Sequence, residues 1–544
     1  MNALGPITLM STMKLLHLFL LILYSFLIKA QSAIYSGNSV HHPIVAKEGM
    51  VATQHYLATE VGIAILKDGG NAIDAAVGVG FALAVVLPRA GNLGGGGFML
   101  VHKADLQKTT SINYREKAPM AAQRDMYLDA KGEVDNQRFN SSYLSVGVPG
   151  TVAGLLYALD KYGTMSVKEV IAPALALATE GFPITYHLAA LLIEYKERLT
   201  QTPASNEIFY PNGLVYQAED TLVQKDLAWS LQQISDSGHQ GFYDGMLADR
   251  LVEDIQSNGG IITKADLQNY TVSEAPVVSG NYRGYELASM PPPSSGGVHL
   301  IQMLNILEDY DLSTTGHNSA ETIHLMVEAM RRAYADRSEH LGDPNFWEVP
   351  TKGLTSKKYA ASLRSNIDRL KATPSDDIKP GQPADFESEE TTHYSIVDKW
   401  GNAVSNTYTL NFSFGTGLVA AGTGILLNNE MGDFSAKPGS ANAYGLIGGE
   451  ANAVEPLKQP LSSMTPTIVL KDGKPIIVTG SPGGSRIITT VLQIILNLID
   501  HEMNIAEATQ ASRVHHQWYP DVLFYEKYFN LDTRKNTRIK RSST

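Results

Sequence analysis

The chain has no cysteine among its 544 residues. This absence excludes disulfide bonds, thiolate metal sites and a cysteine nucleophile. It does not identify a compartment, because a chain of this length can bury a large core without cross-links. The motifs G-x-S-x-G, which presents a hydrolase serine, and H-E-x-x-H, which binds zinc, are also absent. The catalytic group must therefore be sought elsewhere.

Charge is modest and of no single sign. Charged residues make up 18% of the chain, with 43 Lys and Arg against 55 Asp and Glu, so the net charge is −12. Phosphate binding relies on clustered basic side chains, so we expect no nucleic-acid partner. The hydrophobic content of 44% is ordinary for a folded protein with a large core.

One apolar run near the N-terminus stands out, and no other stretch is expected to span a bilayer. Residues 15–28 form an apolar run of 14, preceded by Lys14. The small residues Ala30, Ser32 and Ala33 follow. This order is typical of a secretory signal, so we expect residues 1–33 to be removed and the protein to be exported, periplasmic or extracellular. The alternative is an uncleaved anchor, although a membrane span needs about 20 residues.

Several segments carry clear secondary-structure patterns. Residues 49–87 have helical spacing interrupted near Gly70, which predicts two packed helices. The runs TTHYSIVD and AVSNTYTLN flank a KWGN turn and predict a β-hairpin, and TPTIVL and PIIVTG around KDGK predict a second one. The apolar stretch Ser485–Asp500 predicts a helix. The paired histidines at 515–516 are interpreted as ordinary surface residues.

An abrupt junction separates two kinds of sequence. Residues 371–390 are rich in proline and acidic side chains, which predicts a mobile surface segment. A β pattern begins immediately afterwards at Thr391. Taken alone, this junction fits a simple domain boundary.

Eight motifs on both sides of the junction indicate that it is more than a domain boundary. They are NLGGGGFML (92–100), YREKAP (114–119), VGVPGTVAGL (146–155), PPPSSGGVHL (291–300), TTHYSIVDKWGNAVSNTYTLN (391–411), NNEMGDFS (428–435), PLSSMTPTIV (460–469) and GSPGGSRI (480–487). In this order and spacing they resemble the γ-glutamyltranspeptidases, and the resemblance extends from about residue 45 to 527.

The resemblance implies an α/β (α+β) fold, the four-layer αββα sandwich of the N-terminal-nucleophile hydrolases. One precursor would yield two associated chains, a large subunit 34–390 and a small subunit 391–544. No cofactor and no metal are implied.

The implied chemistry centres on Thr391. In the family this threonine attacks the carbonyl of the preceding residue, here Glu390, and the resulting ester is hydrolysed. Cleavage frees the α-amino group of Thr391, whose reference pKa of about 7.7–8.0 suits a base for its own hydroxyl. Thr409 resembles the residue that hydrogen-bonds this hydroxyl. Gly483 and Gly484 resemble the pair whose amides stabilise the oxyanion.

The donor's α-carboxylate and α-ammonium groups need opposite partners. Arg115, Ser462 and Ser463 resemble the carboxylate-binding residues, with Arg suited to a two-pronged contact. Asn411, Glu430 and Asp433 resemble the ammonium-binding residues. Tyr444 lies in a stretch, 435–455, that resembles the family's active-site lid. Singly, each of these residues would pass for a surface or strand position.

The expected reaction moves a γ-glutamyl group from glutathione or related γ-glutamyl compounds to water, amino acids or dipeptides. Two alternatives stay open: an acylase of the cephalosporin type, and an uncleaved, inactive binding protein. The C-terminal sequence motivates the second, because the resemblance fades at about residue 535 and the chain ends in NTRIKRSST. We expect this tail to be mobile and maturation to be slow.

Overall fold

The computed structural model describes residues 41–383, 392–527 and 529–537. The predicted signal peptide and the predicted cleavage site at Glu390 and Thr391 lie outside these residues. The described chain divides into two compact units. The smaller unit contains residues 41–44 and 503–511, where the Asn504 side chain donates a hydrogen bond to the His41 carbonyl. The larger unit contains all the elements given below except the helix Ile505–Gln510, which belongs to the smaller unit.

The strands are short and, within the sheets, paired antiparallel. In the described ranges they are β1 (Gly49–Ala52), β2 (Gly96–Lys103), β3 (Lys108–Tyr114), β4 (Phe182–Pro183), β5 (Thr221–Leu222), β6 (Ser273–Pro276), β7 (Val278–Tyr282), β8 (Tyr285–Ser289), β9 (Thr392–Asp398), β10 (Ala403–Thr409), β11 (Val419–Ala420), β12 (Ile425–Leu426), β13 (Thr467–Lys471), β14 (Lys474–Thr479), β15 (Val514–His515) and β16 (Phe524–Tyr525).

The α-helices carry most of the remaining ordered chain. In the same ranges they are α1 (Tyr56–Lys67), α2 (Ala72–Val86), α3 (Asn136–Asn140), α4 (Thr151–Tyr162), α5 (Val167–Glu180), α6 (Tyr186–Glu194), α7 (Lys196–Leu199), α8 (Pro203–Phe209), α9 (Lys225–Tyr243), α10 (Met246–Ser257), α11 (Lys264–Gln268), α12 (Gly296–Leu307), α13 (Leu312–Thr315), α14 (Ala320–His340), α15 (Thr351–Leu354), α16 (Lys357–Arg364), α17 (Arg486–Ile499), α18 (Ile505–Gln510) and α19 (Leu531–Asn536).

Two main sheets form the centre of the larger unit. The six-stranded sheet has the order β1-β9-β10-β2-β3-β6, and the four-stranded sheet has the order β14-β13-β8-β7. The hairpin β9–β10, which follows the predicted cleavage point, lies between β1 and β2, which precede it. The two predicted subunits therefore share one hydrogen-bonded sheet.

Strand β2 shows why the layers stack as they do. Its side chains alternate between faces, as the period of a strand requires. Phe98 and Leu100 pack against Met464 and Ile468 in the core between the two sheets. Met99 and Val101, with opposite orientation, join the core beneath α2, α4, α5 and α9.

A second helical layer covers the other sheet. Leu287 and Val469 from that sheet pack with apolar side chains of α12, α14 and α17. The result is the predicted αββα order, so the expected fold class is confirmed. Both predicted hairpins, the pair α1–α2 and the helix α17 are also present.

One acidic side chain holds the β9–β10 turn in place. Asp398 Oδ1 accepts hydrogen bonds from the backbone amides of Trp400 and Asn402, both at 2.9 Å. Its Oδ2 accepts from the Ala72 amide at 2.9 Å, at the start of α2. The turn also uses Gly401, whose φ of 87° is easy only for glycine. Asp398 thus ties the hairpin register to the helical layer.

Two expectations are wrong in the structure. Of the segment 371–390, which the sequence predicts to be mobile, the described residues 371–383 are fastened to the protein, because the buried indole N–H of Trp518 donates to the carbonyls of Ser375 and Ile378 at 3.0 and 3.1 Å. Residues 384–390 lie outside the described residues. His515 and His516 are buried rather than on the surface, and each ring nitrogen finds a partner, as buried polar atoms require.

Among the described residues no helix combines the length and the apolar character that crossing a bilayer demands.

Candidate active site

A cavity of about 720 Å³ opens beside the end of β10. Its lining comes from the loop after β10, from the 3₁₀ turn Glu430–Asp433, from the predicted lid and from the glycine pair before α17. Six of the residues singled out from sequence line it: Thr409, Asn411, Glu430, Tyr444, Gly483 and Gly484. Residues from distant parts of the sequence therefore meet at one place.

Thr409 occupies the last position of β10. It pairs with Gly96 of β2, and its neighbour Tyr408 pairs with Thr392, the first residue of β9. The Thr409 hydroxyl accepts a hydrogen bond from the Asn411 amide at 2.6 Å. The Asn92 side chain donates to the Thr409 carbonyl at 2.8 Å, which anchors the strand end to the glycine-rich turn. Thr391 and Glu390 themselves lie outside the described residues.

Asn411 connects the strand end to the predicted lid. The chain turns there with a φ of 72°, a conformation that asparagine tolerates better than most residues. Its side-chain amide donates to the Asn429 carbonyl at 3.0 Å. Its side-chain oxygen accepts from the Tyr444 hydroxyl at 2.7 Å. Tyr444 is held in turn by Gln517, which donates to the Tyr444 carbonyl at 2.9 Å.

The glycine pair has a backbone that other residues rarely adopt. Gly483 and Gly484 have φ values of 129° and 58°, and α17 begins two residues later. Within the ranges that the structure describes, neither amide N–H donates a hydrogen bond. Both residues line the cavity. Such N–H groups can donate hydrogen bonds to an anionic oxygen.

Arg115 forms a buried ion cluster. Its Nη1 donates to Glu430 Oε1, and its Nη2 donates to Asp433 Oδ2 at 2.7 Å. Its Nε donates to the Pro460 carbonyl at 3.3 Å. Glu116 is the third carboxylate, with Oε2 3.5 Å from Arg115 Nη1. All four side chains are buried, and among the described residues three carboxylates lie within ion-pair distance of this guanidinium. We call these four residues the Arg115 cluster.

Burial dominates the protonation of this cluster. It raises the pKa of Glu430 well above its usual value, although the Arg115 cation opposes the rise. Burial also raises the pKa of Glu116, again against Arg115. Three ionised carboxylates around one cation would leave an excess of buried negative charge, which low-dielectric surroundings penalise. Glu116 and Glu430 therefore hold protons more strongly than exposed carboxylates do.

The two predicted serines lie close to this cluster in the chain fold. Ser462 and Ser463 are fully buried and follow Pro460, whose carbonyl accepts from Arg115. The Ser463 hydroxyl has no hydrogen-bond partner among the described residues. The sequence analysis assigned Arg115 and the two serines to the donor's carboxylate. It assigned Glu430 and Asp433 to the donor's ammonium group, as a separate set. The structure instead brings Arg115 directly onto both carboxylates.

Four residues of this region carried no predicted role. Glu116 stood in the motif YREKAP but had no assigned contact. Arg89, Arg198 and Arg486 line the cavity. No local pattern distinguished Arg89 or Arg198, because arginines in or beside helices usually point to solvent. Only the fold brings them to the site.

Comparison of the sequence with known protein families identifies the family of this chain. The sequence model of the family described as Gamma-glutamyltranspeptidase matches residues 58–540. This match covers most of the chain. The chain belongs to the γ-glutamyltranspeptidase family.

Relatives with this family's activity in their names are closely similar. The glutathione hydrolase proenzyme of Escherichia coli (strain K12) is 56% identical over 504 residues, which is 92% of this chain and 87% of that protein. The glutathione hydrolase proenzyme of Bacillus subtilis (strain 168) is 44% identical, covering 87% of this chain and 81% of the relative.

Solved structures agree with this placement. The Helicobacter pylori γ-glutamyltranspeptidase has a TM-score of 0.61 at 48% identity, covering 62% of this chain and 97% of the matched chain. A cephalosporin acylase from Bacillus halodurans has a TM-score of 0.81 at 29% identity, covering 94% and 91%. The αββα scaffold is therefore shared by γ-glutamyltranspeptidases and acylases, and the fold alone does not separate them.

Proposed function

We propose that this γ-glutamyltranspeptidase-family chain is a proenzyme that cuts itself between Glu390 and Thr391. The mature enzyme then moves γ-glutamyl groups from glutathione or related amides to water, amino acids or dipeptides. The observation that carries the proposal is that one cavity is lined by Thr409, by the Gly483–Gly484 pair and by Glu430, through which the Arg115 cluster reaches the cavity. These are a hydroxyl partner, an oxyanion site and an α-amino-acid site.

The register of the β9–β10 hairpin supports a position of the nucleophile beside this cavity. Thr391 is bonded to Thr392, and consecutive Cα atoms are about 3.8 Å apart. Thr392 pairs with Tyr408, the residue before Thr409. The hairpin register therefore supports a short distance between the Thr391 and Thr409 hydroxyls.

Self-cleavage follows from this placement. The Thr391 hydroxyl attacks the Glu390 carbonyl carbon, the peptide C–N bond breaks, and an ester with a free Thr391 amine results. Water hydrolyses the ester and leaves the carboxylate on Glu390. The freed amine is then the base for the Thr391 hydroxyl in each later turnover.

Transfer uses the same hydroxyl. It attacks the γ-carbonyl of the donor, and the developing oxyanion is positioned for the Gly483 and Gly484 amides. The leaving amine takes the proton and departs, which leaves a γ-glutamyl ester on Thr391. Water or an acceptor amine then attacks this ester and releases the product.

The Arg115 cluster suits a zwitterion. An α-carboxylate would take over donors of Arg115 and approach the Ser463 hydroxyl, while an α-ammonium would take over Glu430 and Asp433. The internal ion pairs of Arg115 with Glu430 and Asp433 are then replaced by pairs to the ligand, so no buried charge is left without a partner. A neutral acyl chain could not make this exchange, which favours a glutamyl donor over an acylase substrate.

The subunits should remain together after cleavage. Strands β9 and β10 of the small subunit, 391–544, are hydrogen-bonded to β1 and β2 of the large subunit, 34–390. We also propose that residues 1–33 export the precursor to the periplasm or the exterior.

A denaturing gel with N-terminal sequencing of the smaller band tests the proposal. The native chain should give two bands, the smaller one starting at Thr391, and Thr391→Ala should remain one chain. The mature protein should hydrolyse a γ-glutamyl anilide and leave a glutaryl amide of the same amine, which keeps the carboxylate but lacks the α-amino group, nearly untouched. A fragment starting at residue 391 from Thr391→Ala, or a preference for the glutaryl substrate, would contradict it.

A further inference from the structure

The cavity has a basic lining that the proposed chemistry does not use. Three arginines, Arg89, Arg198 and Arg486, line it together with a single carboxylate, Glu430. Glu430 is already paired with Arg115. Among the described residues, no carboxylate lies within ion-pair distance of any of these three arginines, whereas most other arginines of the larger unit have such a partner.

Arg198 is held in place over the site by weak contacts. Its guanidinium lies 5.4 Å from the centre of the Phe412 ring and 5.7 Å from that of Tyr195. Its Nη1 donates to the carbonyls of Ser413 and Gly415 at 3.4 Å each. Phe412 follows Asn411 and packs edge-on against Tyr444. Arg198 is thus next to the Asn411–Tyr444 contact, with donors left for a ligand.

Arg89 reaches the same cavity from the glycine-rich turn. Its Nη2 donates to Gln54 at 3.0 Å, and its buried Nε has no hydrogen-bond partner among the described residues. Burial lowers the pKa of both Arg89 and Arg198, because no described anion compensates for the loss of water around them. A buried cationic donor without a partner is costly, and an anionic ligand would remove that cost.

The site has a buried end, at the Arg115 cluster, and a more exposed end, at Arg198 and Arg486. The Arg115 cluster is fully buried, whereas Arg198 is half-buried and Arg486 is exposed. The donor's constant α-amino-acid group suits the buried end. The group beyond the scissile amide, which leaves as an amine, then extends toward the more exposed arginines. An acceptor must place its amine at the same ester and therefore occupies the same space.

We propose that Arg198, with Arg89, binds the carboxylate of the peptide that leaves the donor and of the amino acid or dipeptide that accepts the γ-glutamyl group. This inference rests on the proposed function. An arginine fork matches a carboxylate, and its partly exposed position allows leaving groups of different length. The pair selects acceptors that carry a free carboxylate close to the attacking amine.

The test compares matched acceptors. Purified mature protein transfers the γ-glutamyl group from a γ-glutamyl anilide, whose leaving amine has no carboxylate, to glycylglycine or to glycylglycine amide. The native enzyme should have the lower KM for glycylglycine. Arg198→Gln should raise that KM about tenfold and leave the KM for the amide within twofold. Arg198→Lys should recover part of the preference.

Lys196→Gln is the matched control variant. Lys196 lies on the same helix, α7, is exposed and does not line the cavity, so removing its charge should not alter acceptor preference. Equal losses for both acceptors in Arg198→Gln, no change for either, or slower self-cleavage with an unaltered preference would each overturn the inference. Absence of anilide hydrolysis by the native protein would instead overturn the proposed function on which it rests.

Discussion

Two groups of arginines at the site differ in almost every respect. Arg115 is fully buried and contacts three carboxylates, Glu116, Glu430 and Asp433. Arg89 and Arg198 are half-buried and have no carboxylate partner among the described residues. A cation removed from water needs anions built around it, whereas one near water does not.

Because of this difference, substitution of Arg115 is expected to lower stability, whereas substitution of Arg198 is expected to change mainly ligand binding. Arg115 can bind a ligand only by exchanging partners, so its substitution affects both the fold and recognition. Arg198 offers a charge that is not yet paired, but water and salt screen it. We therefore expect large effects at the buried end of the cavity and modest, salt-dependent effects at the basic lining.

The largest expected effect breaks the buried cluster. Arg115→Met leaves Glu116, Glu430 and Asp433 without a cation, and removal of one partner from a buried ion pair typically costs about 3–5 kcal/mol. Urea unfolding should show a loss of this size in the free energy of unfolding. Arg198→Gln should lose less than about 1 kcal/mol, as partly exposed charges usually do. Similar losses in both variants would remove the distinction between the two groups.

A smaller effect is expected from a substitution that tests whether the Arg115 cluster binds the donor. Asp433→Asn keeps the size of the side chain but removes a charge that would face the donor's ammonium. Hydrogen bonds to charged groups contribute about 1.5–3 kcal/mol, so the KM for glutathione should rise roughly 10- to 100-fold.

Two controls accompany this substitution. Self-cleavage should remain complete, since it involves no substrate ammonium. A donor analogue without the α-amino group should show no further loss of activity. A precursor that stays uncut would assign Asp433 a structural role instead.

The smallest effect concerns pH. Burial raises the pKa of Glu430, so the folded state retains a proton that the unfolded chain releases above its usual value of 4.5. Stability from this group is therefore present at lower pH and is lost as pH rises from 4.5 toward the raised pKa, by at most about 1.4 kcal/mol per pH unit.

Glu430→Gln removes this titration. Its free energy of unfolding, measured by urea at pH 5, 6 and 7, should fall less steeply with pH than that of the native chain. Glu450→Gln is a control, since Glu450 forms an exposed pair with Arg124. Parallel pH profiles for the native chain and Glu430→Gln would show that Glu430 is ionised throughout this range.

Local patterns were sufficient for much of the fold. Period-2 alternation and the KWGN turn predicted β9–β10, and helical spacing broken near Gly70 predicted α1 and α2. Local sequence patterns gave wrong predictions where tertiary contacts determine whether a residue is buried or held in place. The polar segment 371–383 looked mobile, yet Trp518 and Ser375 fasten it through reciprocal hydrogen bonds. His515 and His516 looked exposed because a polar pair gives no sign of the partners that allow burial.

Family-like motifs predicted the site residues one by one but not their contacts. Thr409, Asn411, Glu430, Tyr444 and the glycine pair do line one cavity. The direct contacts of Arg115 with Glu430 and Asp433 could not be read from residues more than 300 positions apart. Glu116, Arg89 and Arg198 gave no signal, because the chemistry of an arginine or a glutamate depends on what surrounds it.

By itself, the sequence determined the hairpin that follows Thr391, the glycine pair before α17 and the family to which the chain belongs. These depend on neighbouring residues, whose alternation, turn chemistry and order are visible along one stretch of chain. Only the tertiary structure decided that one buried arginine faces three carboxylates, while Arg89 and Arg198 meet none in the part of the chain that the structure describes. Burial and ion pairing depend on distances between remote segments, and those distances arise when the two sheets and their helical layers pack together.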